Sequence, residues 1–145
     1  MDRQHITNSP KETKAIARDL IKNLSNGLVI CLRGPLGSGK TTFVQGVGEY
    51  FSIDQITSPT YVLLQQYPVN NPSSPIKTLN HLDLYRIESV SDIKAFDPRE
   101  LWQVPNSLTL IEWPERIAQL LPKASLEITF EPLGENSRKI IIKNL

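Results

Sequence analysis

The stretch Gly34-Pro35-Leu36-Gly37-Ser38-Gly39-Lys40-Thr41 constrains this chain more than any other. It fits the P-loop pattern, a glycine, four residues, then Gly-Lys-Ser/Thr. Glycines must bend such a loop so that successive backbone N–H groups point inward and form an anion nest. A helix must begin where the loop ends and add its positive terminus at the same point. Both flanks meet the demand. Leu28-Val29-Ile30-Cys31-Leu32 is a short continuous apolar run, the pattern of a strand buried on both faces. A helix is expected from about Lys40 to Phe51, and Gly46 and Gly48 inside it are read as close packing against the sheet. In that setting Lys40 can reach β and γ phosphates, and the Thr41 hydroxyl can ligate Mg²⁺.

The elements around the loop follow from local signals. Ser9-Pro10-Lys11-Glu12 places a hydroxyl at N-cap, proline at N1 and glutamate at N3, the arrangement of a capping box. Ile16, Ala17, Leu20, Ile21 and Leu24 form one helical stripe, and Asn26-Gly27 supplies the expected stop, with glycine in the left-handed conformation. The N-terminus before Ser9 is polar and reads as a lead into this helix. Thr60 to Tyr67 and Ile76 to Leu84 read as paired strands around a turn-rich loop. Asp97-Pro98-Arg99-Glu100 starts a short helix, Leu108-Thr109-Leu110-Ile111 is a second buried strand, and a helix runs through Glu115 to Leu121. Leu126 to Glu131 and Lys139 to Lys143 flank a turn at Gly134-Glu135-Asn136, so the tail reads as a hairpin. Helices alternate with strands early and strands dominate late. The expected class is α/β, with a mixed central β-sheet flanked by helices in three layers.

Composition narrows the function. The chain has 145 residues, the size of one domain. Sixteen basic residues against fifteen acidic ones leave a net charge of +1, without the basic excess expected of a protein that grips a nucleic-acid backbone. One cysteine, Cys31, and two distant histidines, His5 and His81, exclude a structural zinc site within the chain and suit a reducing compartment. Nothing resembles a targeting or membrane segment, so a soluble cytoplasmic protein is expected.

A P-loop needs a further carboxylate to hold the metal's water shell, commonly at the end of another buried strand. Glu112 ends the Leu108–Ile111 run, and Asp83 lies near the end of the second hairpin strand, in His81-Leu82-Asp83-Leu84-Tyr85-Arg86. Both are candidates. Trp113 after Glu112 suits packing or a nucleotide contact equally well. Thr60 is either an ordinary strand start or a hydroxyl that responds to the γ phosphate. His81 reads as a packed or hydrogen-bonded histidine rather than a catalyst. Arg33 and Arg86 are solvated surface residues or neutralise phosphate charge.

The P-loop with Thr42-Phe43, then Ser58-Pro59-Thr60-Tyr61, then His81 to Arg86, then Leu110-Ile111-Glu112-Trp113-Pro114-Glu115, resemble the ordered blocks of the TsaE (YjeE) family. These are small bacterial P-loop ATPases of tRNA threonylcarbamoyladenosine modification, with a P-loop NTPase-like fold. The resemblance implies that Gly37, Ser38, Gly39, Lys40, Thr41 and Thr42 cradle ATP, that Thr41 and Glu112 address Mg²⁺, and that Lys40, Asp83 and Glu112 serve hydrolysis. It further implies switch behaviour for the Thr60 segment, a nucleotide-linked role for Trp113, and an adenine near Ser9 to Thr13. Pro35 stands where an acidic residue is common and Ser38 where alanine is common; neither removes a phosphate-binding N–H. The segment Glu88 to Pro105 departs from the family's glutamate- and leucine-rich stretch.

The function so implied is slow Mg-ATP hydrolysis coupled to the partner proteins TsaD and TsaB, with tRNA engaged only through the complex and no membrane. A P-loop small-molecule kinase is the alternative, although the last third carries only Arg116 and Arg138 as arginines and lacks an arginine-rich lid. A module that uses nucleotide only as a switch is a third class, against which Asp83 and Glu112 together argue.

Overall fold

The computed structural model describes residues 2–54, 56, 63–123 and 125–144. Its first element is a strand the polar N-terminus does not announce. β1 (Arg3–Thr7) pairs antiparallel with the last strand, from Arg3 opposite Ile142 to Thr7 opposite Arg138. An edge strand held by main-chain bonds needs little apolar content, and only Thr7 is buried. The Thr7 hydroxyl meets that of Thr13 at 2.9 Å, tying the strand to the helix that follows.

That helix, α1 (Pro10–Lys22), starts as its sequence demands. The Ser9 hydroxyl accepts the Glu12 N–H at 3.2 Å, while the Glu12 carboxylate accepts from Asn8 N–H rather than from Ser9 N–H. Ala17, Leu20 and Ile21 are buried, with Ile16 and Leu24 partly covered beside them. The helix ends earlier than expected, because Asn23 caps it through its own amide, which donates to the Asp19 carbonyl at 2.9 Å. Gly27 is therefore not the helix stop and has no left-handed conformation. It is glycine because the backbone of Ser107 occupies the space a Cβ would need.

The chain continues through β2 (Leu28–Arg33), α2 (Lys40–Tyr50), β3 (Leu64–Pro68), β4 (Thr78–Asp83), α3 (Arg99–Gln103), β5 (Ser107–Glu112), β6 (Ser125–Pro132) and β7 (Arg138–Asn144). The residues Thr60 to Val62, expected to begin the third strand, lie outside the described residues. The sheet order is β1-β7-β6-β2-β5-β4-β3. Four central strands, β6, β2, β5 and β4, are parallel, and the antiparallel pairings lie toward the two edges. Alternation along β2 sorts the core. Ile30 and Leu32 pack with α1 and α2 on one face, while Val29 and Cys31 pack with Leu101 of α3 and Ile117 on the other. The result is the expected three-layer α/β fold with a mixed sheet.

Two local readings change. The segment Pro114–Leu120 is a 3₁₀ helix broken at Ile117, whose φ of −130° is not helical, rather than an α-helix from Glu115. Gly46 faces α1, not the sheet: a Cβ there would lie 2.8 Å from Lys14 Cα and 2.9 Å from Ala17 Cβ. Gly48 likewise faces the Ile56 side chain. Burial raises the Cys31 thiol pKa to about 11, so the single cysteine is a core residue with little thiolate. Among the described residues no helix is long and apolar enough to cross a membrane.

Candidate functional site

The C-terminal ends of the parallel strands β2, β5 and β4 open on one cleft of about 360 Å³. This is where a parallel sheet gathers loop and strand-end residues. β2 runs directly into the glycine-rich loop, in which Gly34, Gly37 and Gly39 take φ values of 153°, 74° and 107°. Side chains rarely adopt such values, so the loop shape itself selects glycine. At Gly34 a Cβ would also press on the Phe130 carbonyl oxygen, 2.7 Å away. At Gly37 none of the described residues lies within 4 Å of a Cβ, and the position opens on the cleft. Gly39 precedes α2 without a side-chain cap, so the first turn of the helix presents its N–H groups to the cleft.

Lys40, the first residue of α2, is only 4% exposed. Its Nζ donates to the Gly34 carbonyl at 2.6 Å and sits 3.8 Å from the centroid of the Trp113 ring. Burial lowers its pKa, and Glu112, Glu115 and Asp83 oppose that shift through their charge. Asp83 and Glu112 end neighbouring strands directly opposite each other. Burial first, and then the Glu112 charge, hold the Asp83 carboxyl above the usual carboxylate range, against a 3.1 Å hydrogen bond from Tyr85 N–H. Glu112 is 3% exposed, and its Oε2 lies 2.6 Å from His81 Nε2.

Trp113 takes φ 61° and ψ 50°, a left-handed backbone that is strained for a bulky residue. That turn aims the indole back over Lys40, between Tyr85 at 5.4 Å and the Arg116 guanidinium at 5.5 Å. Of the candidate residues from the sequence, Gly37, Gly39, Lys40, Thr41, Thr42, Asp83, Glu112 and Trp113 all line the cleft. So do Arg86 and, across the cleft, Ser9 and Thr13 at the start of α1. Ser38 does not line it. Its hydroxyl is fully buried without a partner among the described residues, and its N–H bonds the Pro35 carbonyl at 3.2 Å, so it shapes the loop from beneath. Arg33 is also elsewhere, with Nε 2.6 Å from Glu127 and a terminal nitrogen 3.8 Å from Glu115. Thr60 lies outside the described residues.

Sequence reasoning missed Arg138. Its guanidinium donates to the Gly37 carbonyl at 3.0 Å and to the Gly134 and Ser137 carbonyls at 3.0 and 2.9 Å. It therefore pins the glycine loop to the β6–β7 hairpin. No local signal marks an arginine at a strand start as a partner of a loop 101 residues earlier.

The cleft suits an anionic phosphate chain, through the open nest at Gly37, the first turn of α2 and the buried cation of Lys40. Thr41, Asp83 and Glu112 offer hard oxygen donors, the type that suits Mg²⁺ with retained waters. Among the described residues no group of three or more His, Cys, Asp and Glu side chains is arranged to hold a metal ion by itself, so a cation here would need phosphate oxygens and water to complete its shell.

Comparison with known proteins places the chain in a family. The family described as "Threonylcarbamoyl adenosine biosynthesis protein TsaE" matches residues 7–140. The tRNA threonylcarbamoyladenosine biosynthesis protein TsaE of Rickettsia bellii is 36% identical over 146 residues, covering 99% of this chain and 96% of that protein. The Bacillus subtilis protein of the same name is 35% identical over 135 residues, covering 92% and 80%. The crystal structure of Bacillus subtilis YdiB superposes with a TM-score of 0.77 at 29% identity, covering 98% of this chain and 84% of that one. With the match running from β1 into the final strand, the chain belongs to the TsaE family.

Proposed function

We propose that this protein binds Mg-ATP and hydrolyses it slowly inside the complex that installs N6-threonylcarbamoyladenosine in tRNA, coupling its nucleotide state to a TsaD–TsaB heterodimer. The observation that carries the reading is the convergence of the glycine loop, Lys40 and Thr41 with two strand-end carboxylates in one cleft. The N–H groups of the loop and of the first turn of α2 bind the phosphates. Lys40 exchanges the neutral Gly34 carbonyl for a charged phosphate oxygen, which offsets the cost of its burial. Thr41 and Glu112 are the residues to hold Mg²⁺, which when bound draws charge off the β and γ phosphates. Asp83, beside Glu112, orients the attacking water. Trp113 and Tyr85 cover the Lys40 side of the cleft and exclude water from it. The net charge of +1 supports leaving the tRNA to the partners in a cytoplasmic complex.

The test is reconstitution of the modification with TsaD and TsaB. Adding this protein is expected to give repeated turnover, and Lys40→Ala is expected to remove it, with a loss of about 100-fold or more. Intact ATP binding and modification with Lys40→Ala would refute the mechanism. Turnover that requires a metabolite, which itself becomes phosphorylated, would place the chain among the small-molecule kinases instead.

A further inference from the structure

His81, the buried partner of Glu112, has no task in the reading so far. Along β4, Leu79, His81 and Asp83 share the face that meets α2, by the alternation of the strand. Leu79 is core, so an apolar residue would pack equally well at position 81, yet a fully buried imidazole occupies it. Its Nε2 lies 2.6 Å from Glu112 Oε2, a short bond between two buried groups. Register makes the contact informative. Glu112 stands directly opposite Asp83, whereas His81 stands opposite Leu110, so the carboxylate leans back across the strand pair to reach the imidazole. The other ring nitrogen, Nδ1, is buried and has no partner among the described residues. An unpartnered acceptor there is consistent with the proton sitting on Nε2 and pointing at the carboxylate.

We infer that His81 is a positioning residue for Glu112: it holds Oε2 and so commits the other carboxylate oxygen to the cleft that Thr41 also lines. This rests on the proposed role of Glu112 toward Mg²⁺. A donor on one oxygen fixes the carboxylate rotamer and its orientation toward a metal, and losing such a partner typically costs about 10–100-fold in metal affinity or activity. Asp83 cannot substitute, because it offers a second negative charge rather than a donor.

The experiment titrates MgCl₂ into the full chain with saturating ATP and reads the gain in unfolding temperature, with ATP turnover measured in parallel. His81→Ala is expected to raise the Mg²⁺ midpoint by about 10–100-fold. ATP affinity measured in EDTA should stay within about threefold, since the phosphate nest is untouched. His81→Gln, whose amide nitrogen reaches the former Nε2 position, should recover most of the midpoint, and the shorter His81→Asn should not. In a Glu112→Gln background, His81→Ala should shift the midpoint no further. An unchanged midpoint in folded His81→Ala overturns the inference. Equal losses in the Gln and Asn variants also overturn it, as does the same loss without Glu112. If His81→Ala does not fold, the Gln and Asn pair decides. A parent chain whose ATP stabilisation ignores Mg²⁺ overturns the functional reading and this inference together; a Mg²⁺-responsive parent with an unshifted variant overturns this inference alone.

Discussion

Gly46→Ala tests how the two helices around the cleft are held. Alanine should help α2 on its own, because glycine inside a helix costs about 1 kcal/mol. The tertiary contact opposes that gain. The added Cβ would lie 2.8 Å from Lys14 Cα, 2.9 Å from the Lys14 carbonyl oxygen and 2.9 Å from Ala17 Cβ. Carbon atoms in contact normally sit about 3.5–4.0 Å apart, so the helices must separate by roughly 0.7–1 Å at this point. None of the three atoms belongs to a flexible side chain that could swing away, so the upper part of the 1–3 kcal/mol range for overpacking applies, roughly 2–3 kcal/mol. After the propensity gain, the net loss is about 1–2 kcal/mol. For 145 residues the unfolding entropy is about 0.3 kcal/mol/K, so the melting temperature should fall by about 3–7 °C. Thermal unfolding followed by far-UV circular dichroism measures it. Gly134→Ala is the control, since none of the described residues lies within 4 Å of its Cβ and its φ is not positive, and it should stay within about 0.5 kcal/mol of the parent. Gly46→Ala melting at or above the parent would refute the packing argument.

Asp83→Asn should stabilise the nucleotide-free, metal-free protein at neutral pH. The folded pKa of Asp83 is raised, so its charge costs stability above the unfolded value of 3.8, and the cost disappears below it. The advantage of the asparagine variant in urea unfolding should therefore be present at pH 7, shrink as pH falls toward 3.8, and vanish below; an advantage that grew on acidification would contradict the assignment. Arg138→Ala removes the donors that join Gly37 to the β6–β7 hairpin, and should weaken ATP binding by about tenfold, the worth of one charge-assisted hydrogen bond. Isothermal titration calorimetry reads this directly, and an unchanged Kd would show that the loop holds its shape without the clamp.

Much of this molecule is visible in short stretches of sequence. Ser9, Pro10 and Glu12 announce α1, and the Ser9 hydroxyl caps it as expected, because capping chemistry acts over three residues. The apolar runs at Leu28 and Leu108 become the neighbouring central strands β2 and β5, because a strand covered on both faces has no room for alternation. β1 escaped because an edge strand is held by its main chain, which carries no residue signature. Gly27 and Gly46 stand out in the sequence, but at Gly27 the reason is close approach rather than a left-handed turn, and at Gly46 the close partner is α1 rather than the sheet. One faces the backbone of Ser107 and the other faces α1, and glycine's letter is the same for a left-handed turn and for a close approach.

By itself, then, the sequence determined the strand–loop–helix unit, the α/β class, and most of the residues that line the cleft. Each of these depends on φ preferences, apolar periodicity or cap chemistry acting within a few residues. Only the tertiary structure decided how Lys40 meets Trp113, why Asp83 and Glu112 are neighbours, and that Glu112 belongs to His81, 31 residues away. The same holds for the Arg138 clamp on Gly37. Those relations are set by strand order and register, and shifting a strand by one residue would turn each of its side chains to the opposite face.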